Sequence, residues 1–330
     1  MAYLELALGI AALVVCGDLL VRGSVALATR LDIPILVIGL TIVAFGTSAP
    51  ELVVSLRAVL TGAPGLAIGN VVGSNIANVL LVLGLPALIS ATNCQQPLIK
   101  RNTAFVIFAS LLFITLCYYG PLSFTHGAIL FVFLILFIVA AGRRAAMYED
   151  EAAVLSEEAA EIADEAAGVS GHNLTIGLFL GAGLIGLPLG AHLTVSGATV
   201  LAQSFGVSDA VIGLTLVAFG TSLPELATTM SAAIRGQCGL ALGNVLGSNL
   251  FNILAIMGLT AMVADVPVPS SVMKIDLWVM LAATLAITPF ALRGALFTRG
   301  PAFVFVMSYC AYIYYAFLPR MEAATSLAQM

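Results

Sequence analysis

The chain has 330 residues, of which 61% are hydrophobic and 9% charged, and its mean hydropathy is +1.11. Ordinary soluble proteins contain about 45–50% apolar and about 25% charged residues, so this composition excludes a soluble globular protein and indicates a polytopic membrane protein. The net charge is −5, but eight of the 17 acidic residues lie between Glu149 and Glu165, and no basic patch indicates a nucleic-acid partner.

Ten apolar segments follow one another along the chain, separated by polar or Gly- and Pro-containing breaks. One membrane-spanning helix takes about 20 residues. We therefore predict an all-α polytopic membrane protein with ten transmembrane helices, at residues 4–30, 33–60, 66–90, 102–118, 122–142, 174–204, 209–234, 240–263, 272–292 and 301–318. An acidic loop at 143–173, with an Ala- and Glu-rich centre typical of a surface helix or solvated linker, separates helices five and six.

The positions of lysine and arginine predict the orientation of these helices, because cytoplasmic loops are enriched in both residues. With the N-terminus outside, only Arg57, Lys274 and Arg320 lie outside. The other nine fall at cytoplasmic ends, namely Arg22, Arg30, Lys100, Arg101, Arg143, Arg144, Arg235, Arg293 and Arg299. We therefore predict a cytoplasmic membrane protein with both termini extracytoplasmic and the loop 143–173 cytoplasmic.

Two long segments of the chain repeat each other. Residues 39–85 and 213–259 align without a gap at an offset of 174 (225 − 51 = 174), with 27 of 47 positions identical. Each repeat contains five predicted helices, and an odd number makes the second repeat enter the membrane from the opposite side. We predict two inverted five-helix repeats, at 1–142 and 174–330, with the two motifs facing each other.

Each repeat carries an acidic motif inside an apolar run. Helix two contains GTSAPE at 46–51, and helix seven contains GTSLPE at 220–225. Pro50 cannot donate a backbone hydrogen bond and crowds the preceding turn, so we expect an interrupted helix here and at the equivalent proline. Thr47, Ser48 and Glu51 then lie close together on one helical face.

The following helix in each repeat adds a polar stripe at intervals of four residues. The stripes are Asn70, Ser74 and Asn78 in the first repeat, and Asn244, Ser248 and Asn252 in the second. A charged residue near mid-bilayer costs about 2.5–3.5 kcal/mol on insertion scales. Two facing carboxylates without a cation repel each other, and a bound cation removes that conflict. Because all available ligands are oxygens, the site favours Ca²⁺ or Na⁺ over zinc or copper.

At these motifs the chain resembles the cation/Ca²⁺ exchanger superfamily, in particular its prokaryotic Na⁺/Ca²⁺ exchanger-like branch. The resemblance rests on GTSAPEL with GNVVGSNIAN and on GTSLPEL with GNVLGSNLFN. It implies a ten-helix fold in which helices two, three, seven and eight bind cations while helices one and six slide across them. The implied activity is Na⁺/Ca²⁺ antiport by alternating access that extrudes Ca²⁺, with no enzymatic reaction and no prosthetic group.

The resemblance also implies the ligands, residue by residue. Glu51 and Glu225 are the central acidic ligands shared by Ca²⁺ and Na⁺. The remaining ligands implied are Thr47, Ser48, Ser74, Asn78 and the carbonyl of Ala44 on one side, with Thr221, Ser222, Ser248, Asn252 and the carbonyl of Ala218 on the other. K⁺-dependent relatives carry an aspartate at the position of Asn252, which weakens the case for K⁺ co-transport here.

Several alternatives remain open at the level of sequence. A glutamate pair can also carry protons in Ca²⁺/H⁺ exchange, and K⁺-dependent Na⁺/Ca²⁺ exchange is a close variant. The other hypotheses are a passive channel, an intramembrane hydrolase, and a pair of structural acids that are hydrogen-bonded between helices. Asn70, Asn75, Asn244 and Asn249 are expected to orient the core helices. Asp18 and His192, at equivalent positions (192 − 18 = 174), are expected at a helix end or a water-facing gate.

Overall fold

The structure is a computed structural model, and it describes residues 2–31, 33, 35–93, 96, 98–145, 173–204 and 218–328. Within these residues the chain is almost entirely helical. The helices are α1 (Ala2–Arg30), α2 (Ile35–Thr47), α3 (Ala49–Leu60), α4 (Pro64–Ile89), α5 (Ile99–Tyr118), α6 (Phe124–Ala145), α7 (Asn173–Ser204), α8 (Ala218–Thr221), α9 (Leu223–Ile234), α10 (Cys238–Val263), α11 (Val272–Arg293) and α12 (Arg299–Ala328).

Seven of the described helices are long and apolar enough to cross a membrane, namely α1, α4, α5, α6, α7, α10 and α11. The pair α2 and α3, bent by 44° at a short break, makes an eighth candidate span. The predicted helix at 209–234 is described only from residue 218, as α8 and α9, and the predicted helix at 301–318 lies within α12. The predicted surface helix or linker of the acidic loop falls on residues 146–172, outside the described residues.

Burial separates an interior pair of helices from those that face lipid. In the apolar stretches of α10 and α4, 89% and 72% of the residues are buried, against 28% in α1, α6 and α7. Large apolar side chains on the outer helices, such as Leu178 and Val132, remain exposed, as expected for surfaces that contact lipid tails. The polar stripes therefore lie on the two most deeply buried helices.

Four π-helical turns interrupt the α-helices among the described residues. They lie at Gly39–Val43 in α2, Asn78–Val82 in α4, Phe251–Ile256 in α10 and Val272–Asp276 at the start of α11. Single π-turns of this kind are rare and occur frequently at functional sites. Two of them contain the last asparagine of a polar stripe, Asn78 and Asn252.

Helices α1 and α7 come from different repeats and pack along a seam of small residues. A Cβ atom added at Gly190 would lie 3.1 Å from the Gly9 carbonyl oxygen, and one added at Gly183 would lie 2.6 Å from the Leu20 Cβ. Glycines at these positions allow the two backbones to approach closely. The same seam includes Gly186 and Gly197. α1 also touches α9, since a Cβ at Gly17 would lie 3.1 Å from the Ala227 carbonyl oxygen.

Short pairings tie the helix connections together. The strand β1 (Thr92–Asn93) pairs antiparallel with β2 (Leu296–Phe297), which joins the α4–α5 connection to the α11–α12 connection. An isolated bridge between Leu122 and Val266 joins the α5–α6 connection to the α10–α11 connection. The two connections in each pair therefore lie at the same end of the helices. The predicted ten spans, which cross the membrane in alternating directions, also place the members of each pair on the same side.

Candidate cation-binding site

Both acidic motifs break a helix, as their prolines predict. α2 ends at Thr47 and α3 begins at Ala49, with Ser48 between them, and Ser222 separates α8 from α9 in the same way. Each proline lies in the first turn of the second helix, where its missing N–H removes no helical hydrogen bond. In each motif the break therefore lies at the serine, two residues before the proline.

The two glutamates occupy equivalent places after these breaks. Glu51 lies in the first turn of α3 and Glu225 in the first turn of α9, and both side chains are 0% exposed. A helix N-terminus carries a partial positive charge, which favours a carboxylate at this position. This contribution of at most about 1–2 kcal/mol is smaller than the cost of burying the charge, so further compensation is required.

The glutamates of the two repeats meet in the interior. Their carboxylates are close enough to repel each other electrostatically. Ser48 of the first repeat donates its hydroxyl proton to Oε1 of Glu225 in the second, at 3.0 Å. Thr221 lies beside the Glu51 carboxylate, and Thr47 and Ser248 lie beside that of Glu225. The motifs therefore contribute side chains to one shared cluster.

Close packing between the repeats creates this arrangement. A Cβ at Gly243 of α10 would lie 3.0 Å from the Gly39 Cα of α2, so the two helices are almost in backbone contact. Thr47 in turn donates its hydroxyl proton to Oδ1 of Asn244, at 3.1 Å. Glycines at the crossing thus bring the interrupted helix of one repeat onto the polar stripe of the other.

The first asparagine of each stripe holds the acidic helix of its own repeat. Asn70 donates to the Glu51 carbonyl oxygen at 3.2 Å and to Ser55 Oγ at 3.0 Å. Asn244 donates to the Glu225 carbonyl oxygen at 3.3 Å and to Oγ1 of Thr229 at 3.0 Å, and the two sets of contacts are related by the repeat offset. The expected orienting role of Asn70 and Asn244 is therefore seen in their contacts.

A set of buried oxygens in this region has no hydrogen-bond partner among the described residues. The seven oxygens are Oε1 and Oε2 of Glu51, Oε2 of Glu225, Oδ1 of Asn78, Oδ1 of Asn252, Oγ of Ser222 and Oγ of Ser248. Buried polar atoms are normally satisfied, so such a concentration requires a partner. A Ca²⁺ ion is bound by oxygen ligands in flexible geometry, which matches the type of these atoms.

The cluster contains few ionisable ligands. Among the residues that the structure describes, no group of three or more His, Cys, Asp or Glu side chains is placed to hold a metal ion. The charge of the site therefore comes from two carboxylates, and neutral hydroxyl and amide oxygens supply the rest. This composition suits a hard cation such as Ca²⁺ or Na⁺.

The predicted backbone ligands differ between the two repeats. The Ala44 carbonyl oxygen accepts a hydrogen bond from Ser48 N at 3.0 Å and lies 3.3 Å from Thr47 Oγ1, whose single proton goes to Oδ1 of Asn244. In the second repeat Ser222 N donates to the Phe219 carbonyl oxygen at 3.1 Å, one residue beyond Ala218. The first break therefore keeps a hydrogen bond to the fourth preceding residue, whereas the second has one to the third. Of the remaining predicted ligands, Ser74 is buried on α4, with 4% of its surface exposed.

The sequence analysis missed two hydroxyl residues that support the glutamates. Ser55 and Thr229 are buried one helical turn after Glu51 and Glu225 and accept hydrogen bonds from the stripe asparagines. A signal for them exists in the sequence, because a hydroxyl residue recurs at the repeat offset (229 − 55 = 174). Their spacing of four residues from each glutamate places them on the same helical face.

Of the two positions expected for Asp18 and His192, the helix end is not observed, and the water-facing gate stays a prediction. Asp18 lies in the middle of α1, and His192 lies in the middle of α7 with its side chain exposed. Asp18 forms an ion pair with Arg22 at 3.0 Å and accepts two hydrogen bonds from Arg235, which follows α9. Asp18 therefore links α1 to the turn after α9, a part of the chain 217 residues away.

Comparison with known proteins gives a consistent result. The sequence profile of a family described as sodium/calcium exchanger protein matches residues 1–142 and 175–318. The sodium/calcium exchanger MaX1 of Methanosarcina acetivorans is 34% identical over 94% of this chain and 97% of its own length. The inner membrane protein YrbG of Escherichia coli is 36% identical over 85% of each chain. A solved structure of the sodium-calcium exchanger NCX_Mj, soaked with Na⁺ and Ca²⁺, superposes on this chain with a TM-score of 0.81. The superposition covers 94% of this chain and 97% of the NCX_Mj chain, and the two sequences are 30% identical.

Proposed function

This chain belongs to the sodium/calcium exchanger protein family, and from this premise we propose that it exchanges Na⁺ for Ca²⁺ across a membrane as a secondary active antiporter. The family is one of multi-pass membrane transporters, which are not a class of enzymes. One observation carries the proposal. Two fully buried glutamates, one from each repeat, lie among oxygens that have no hydrogen-bond partner in the described part of the chain.

Charge balance explains why such a site exchanges ions. Two ionised carboxylates carry a charge of −2, which one Ca²⁺ or two Na⁺ ions neutralise. Because both cations need the same oxygens, binding of one disfavours binding of the other. The occupied site is close to neutral and can pass through a low-dielectric interior, whereas the empty site carries a costly uncompensated charge. Competition between the ions therefore becomes coupled transport in opposite directions.

We propose that twelve residues provide the ligands of the transported cations. They are Glu51, Glu225, Thr47, Thr221, Ser48, Ser222, Ser74, Ser248, Asn78, Asn252 and the backbone carbonyls of Ala44 and Ala218. The contact of Ser48 with Glu225 and the unpartnered oxygens of Asn78, Asn252, Ser222 and Ser248 support this assignment. Ca²⁺ and Na⁺ are transported substrates of this site, and the proposal requires no prosthetic group.

The architecture that we propose has ten transmembrane helices in two inverted repeats, 1–142 and 174–330, joined by a cytoplasmic loop at 143–173. Hydrogen bonds that recur at the repeat offset, such as those of Asn70 and Asn244, support the repeat. The arginine and lysine positions support extracytoplasmic termini in a cytoplasmic membrane. In the transport cycle α1 and α7 move together across the core formed by α2, α3, α4, α8, α9 and α10, and Ca²⁺ leaves the cell.

Reconstitution tests this function directly. The purified protein is placed in liposomes loaded with Na⁺ and diluted into Na⁺-free buffer with radioactive Ca²⁺ at constant pH. We expect Ca²⁺ uptake that needs internal Na⁺ and ceases when N-methylglucamine replaces it. Uptake driven by a pH gradient without Na⁺ would establish Ca²⁺/H⁺ exchange instead. An additional requirement for K⁺ would establish the K⁺-dependent variant, and uptake without any counter-ion would establish a channel.

A further inference from the structure

One asparagine outside the predicted ligand set connects three helices beside the cluster. Asn75 of α4 is 1% exposed and uses its side-chain and backbone groups on different neighbours. Its Nδ2 donates to the Met280 sulfur of α11 at 3.6 Å, and its Oδ1 accepts from Asn252 Nδ2 of α10 at 3.0 Å. Its carbonyl oxygen accepts from Asn249 Nδ2 at 3.3 Å. The side-chain hydrogen bonds therefore run in one direction, from Asn252 through Asn75 to Met280.

The direction of these hydrogen bonds determines which atom of the Asn252 amide is left to bind a cation. Since Nδ2 of Asn252 is used by Asn75, Oδ1 is the atom without a partner among the described residues. Asn252 follows Ser248 by four residues on the stripe, and Ser248 lies beside the Glu225 carboxylate. A flipped amide would place two carbonyl oxygens against each other at Asn75 and would turn an NH₂ group, which repels cations, toward the cluster.

The symmetry-related residues do not reproduce this chain of contacts. The equivalents of Asn75, Asn252 and Met280 are Asn249, Asn78 and Val106 (249 − 75 = 252 − 78 = 280 − 106 = 174). Valine offers no acceptor, and Asn249 donates to the Asn75 carbonyl oxygen instead. Both amide atoms of Asn78, and Oδ1 of Asn249, lack partners within the described residues. The amide of Asn252 is therefore held in one orientation, whereas that of Asn78 is not.

From this asymmetry we propose that Asn75 is a positioning residue that fixes the Asn252 amide with its oxygen toward the transported cation, while Asn78 takes its orientation only when the ion binds. The inference rests on the proposed function, since it names how one ligand of that site is preset. A divalent ion interacts more strongly than a monovalent ion with an oriented amide dipole. Loss of Asn75 therefore weakens Ca²⁺ binding more than Na⁺ binding.

Equilibrium Ca²⁺ binding to the purified protein tests the positioning role without any assumption about transport. We expect Asn75→Leu to raise the Kd for Ca²⁺ about tenfold, the change expected from one misoriented ligand. Asn75→Asp keeps an oxygen that accepts from Asn252 and adds a carboxylate beside the cluster, so its Kd does not rise above the parent value. Asn249→Leu, the matched control in the other repeat, leaves the Asn252 contact intact and changes the Kd by about twofold or less.

A double-mutant cycle separates positioning from general structural damage. If Asn75 acts through Asn252, adding Asn75→Leu to Asn252→Ala produces no further loss of Ca²⁺ binding. Additive losses in the cycle, or equal losses in Asn75→Leu and Asn249→Leu, would overturn the positioning role. So would an unchanged Kd in Asn75→Leu. Met280→Leu, which removes the acceptor at nearly constant volume, provides a milder variant that is expected to fold, with an increase in Kd of about twofold.

The two proposals fail in different ways. A parent protein that binds Ca²⁺ but exchanges it for H⁺ would overturn the proposed Na⁺ coupling and leave the Asn75 result standing. A parent protein with Na⁺/Ca²⁺ exchange and a Ca²⁺ Kd insensitive to Asn75→Leu would overturn the positioning role alone. Na⁺ affinity, measured by competition in the same samples, should change less than Ca²⁺ affinity. An equal change for both ions would contradict the proposed selectivity.

Discussion

The two repeats share 27 of 47 residues in their motifs, yet their glutamates have different surroundings. Glu225 accepts a hydrogen bond from Ser48 of the opposite repeat, whereas both carboxylate oxygens of Glu51 lack a partner among the described residues. The residues around the motifs differ too, because Asn75 donates to Met280, whereas the position equivalent to Met280 in the other repeat holds Val106, which offers no acceptor. Duplication thus supplied two similar half-sites, and the surrounding residues made them chemically unequal.

The largest effect is expected from removing either negative charge. Glu51→Gln and Glu225→Gln should each reduce Na⁺-dependent Ca²⁺ uptake about 100-fold or more, because the affinity of oxygen sites for Ca²⁺ follows their charge. Uptake into liposomes, normalised to reconstituted protein, measures the loss. Asp265→Asn, in the exposed connection before α11, serves as the control for the loss of one carboxylate. Full exchange by either glutamine variant would remove the basis of the site.

Replacing the last asparagine of either stripe with aspartate adds a negative charge and compares the surroundings of Asn78 and Asn252. Asn78→Asp should tighten Ca²⁺ binding roughly tenfold by adding a third carboxylate. Asn252→Asp adds the same charge but loses the Nδ2 donor and places a carboxylate against Oδ1 of Asn75, so we expect a smaller gain. Titration calorimetry on both variants measures the difference. Equal tightening would show that the two asparagines have equivalent surroundings after all.

The two motif serines offer a more moderate comparison. Ser48→Ala removes the donor to Glu225 Oε1 and should reduce transport roughly tenfold, since hydrogen bonds to charged groups are worth about 1.5–3 kcal/mol and about 1.4 kcal/mol is tenfold. Ser222→Ala removes a hydroxyl that has no partner within the described residues and should cost about twofold. Initial rates at a fixed Na⁺ gradient measure both. A larger loss in Ser222→Ala would reverse the assigned difference between the repeats.

The smallest effect is expected at the ion pair between α1 and the turn after α9. Arg235 contacts Asp18, whereas the symmetry-related positions carry Thr61 and His192, which cannot form such a pair. Because the pair is partly exposed, Arg235→Gln should cost roughly 1 kcal/mol or less of stability. In the proposed cycle the pair joins a moving helix to the core, so we expect the exchange rate to change by less than about twofold. Thermal unfolding and initial exchange rates measure these effects.

Arg22→Gln is the matched control for this ion pair. Arg22 contacts the same carboxylate from within α1, so its removal breaks no connection between α1 and the core. We expect a similar loss of stability and an unchanged exchange rate. An identical change in rate for both arginine variants would show that the contact between helices has no part in the transport cycle.

Much of the helical layout could be predicted from the sequence because it depends on local chemistry. The start of α7 at Asn173 and the end of α10 at Val263 lie within one residue of the predicted bounds, since apolar runs end where polar or turn-forming residues begin. The interruption of helix two followed from Pro50. The orienting contacts of Asn70 and Asn244 followed from their place on a repeated stripe.

Contacts between distant segments could not be predicted in the same way. Asp18 and Arg235 are 217 residues apart, and no periodicity links them. The π-helical turns that begin at Asn78 and Phe251 have no local signal in the sequence, because neither proline nor glycine lies within them. The proposed role of Asn75 depends on its contact with Met280, a residue that no sequence motif singles out.

The glycine seam between α1 and α7 has a consequence for energy conservation. At Gly183 and Gly190 a Cβ atom would come within 2.6 Å of the Leu20 Cβ and 3.1 Å of the Gly9 carbonyl oxygen, so we expect the two helices to move as one body in the proposed cycle. If each belongs to a different inverted repeat, as we propose, a displacement that uncovers the site on one face of the membrane covers it on the other. Under this mechanism we expect no state that is open to both faces, and hence no leakage of the Na⁺ gradient between turnovers.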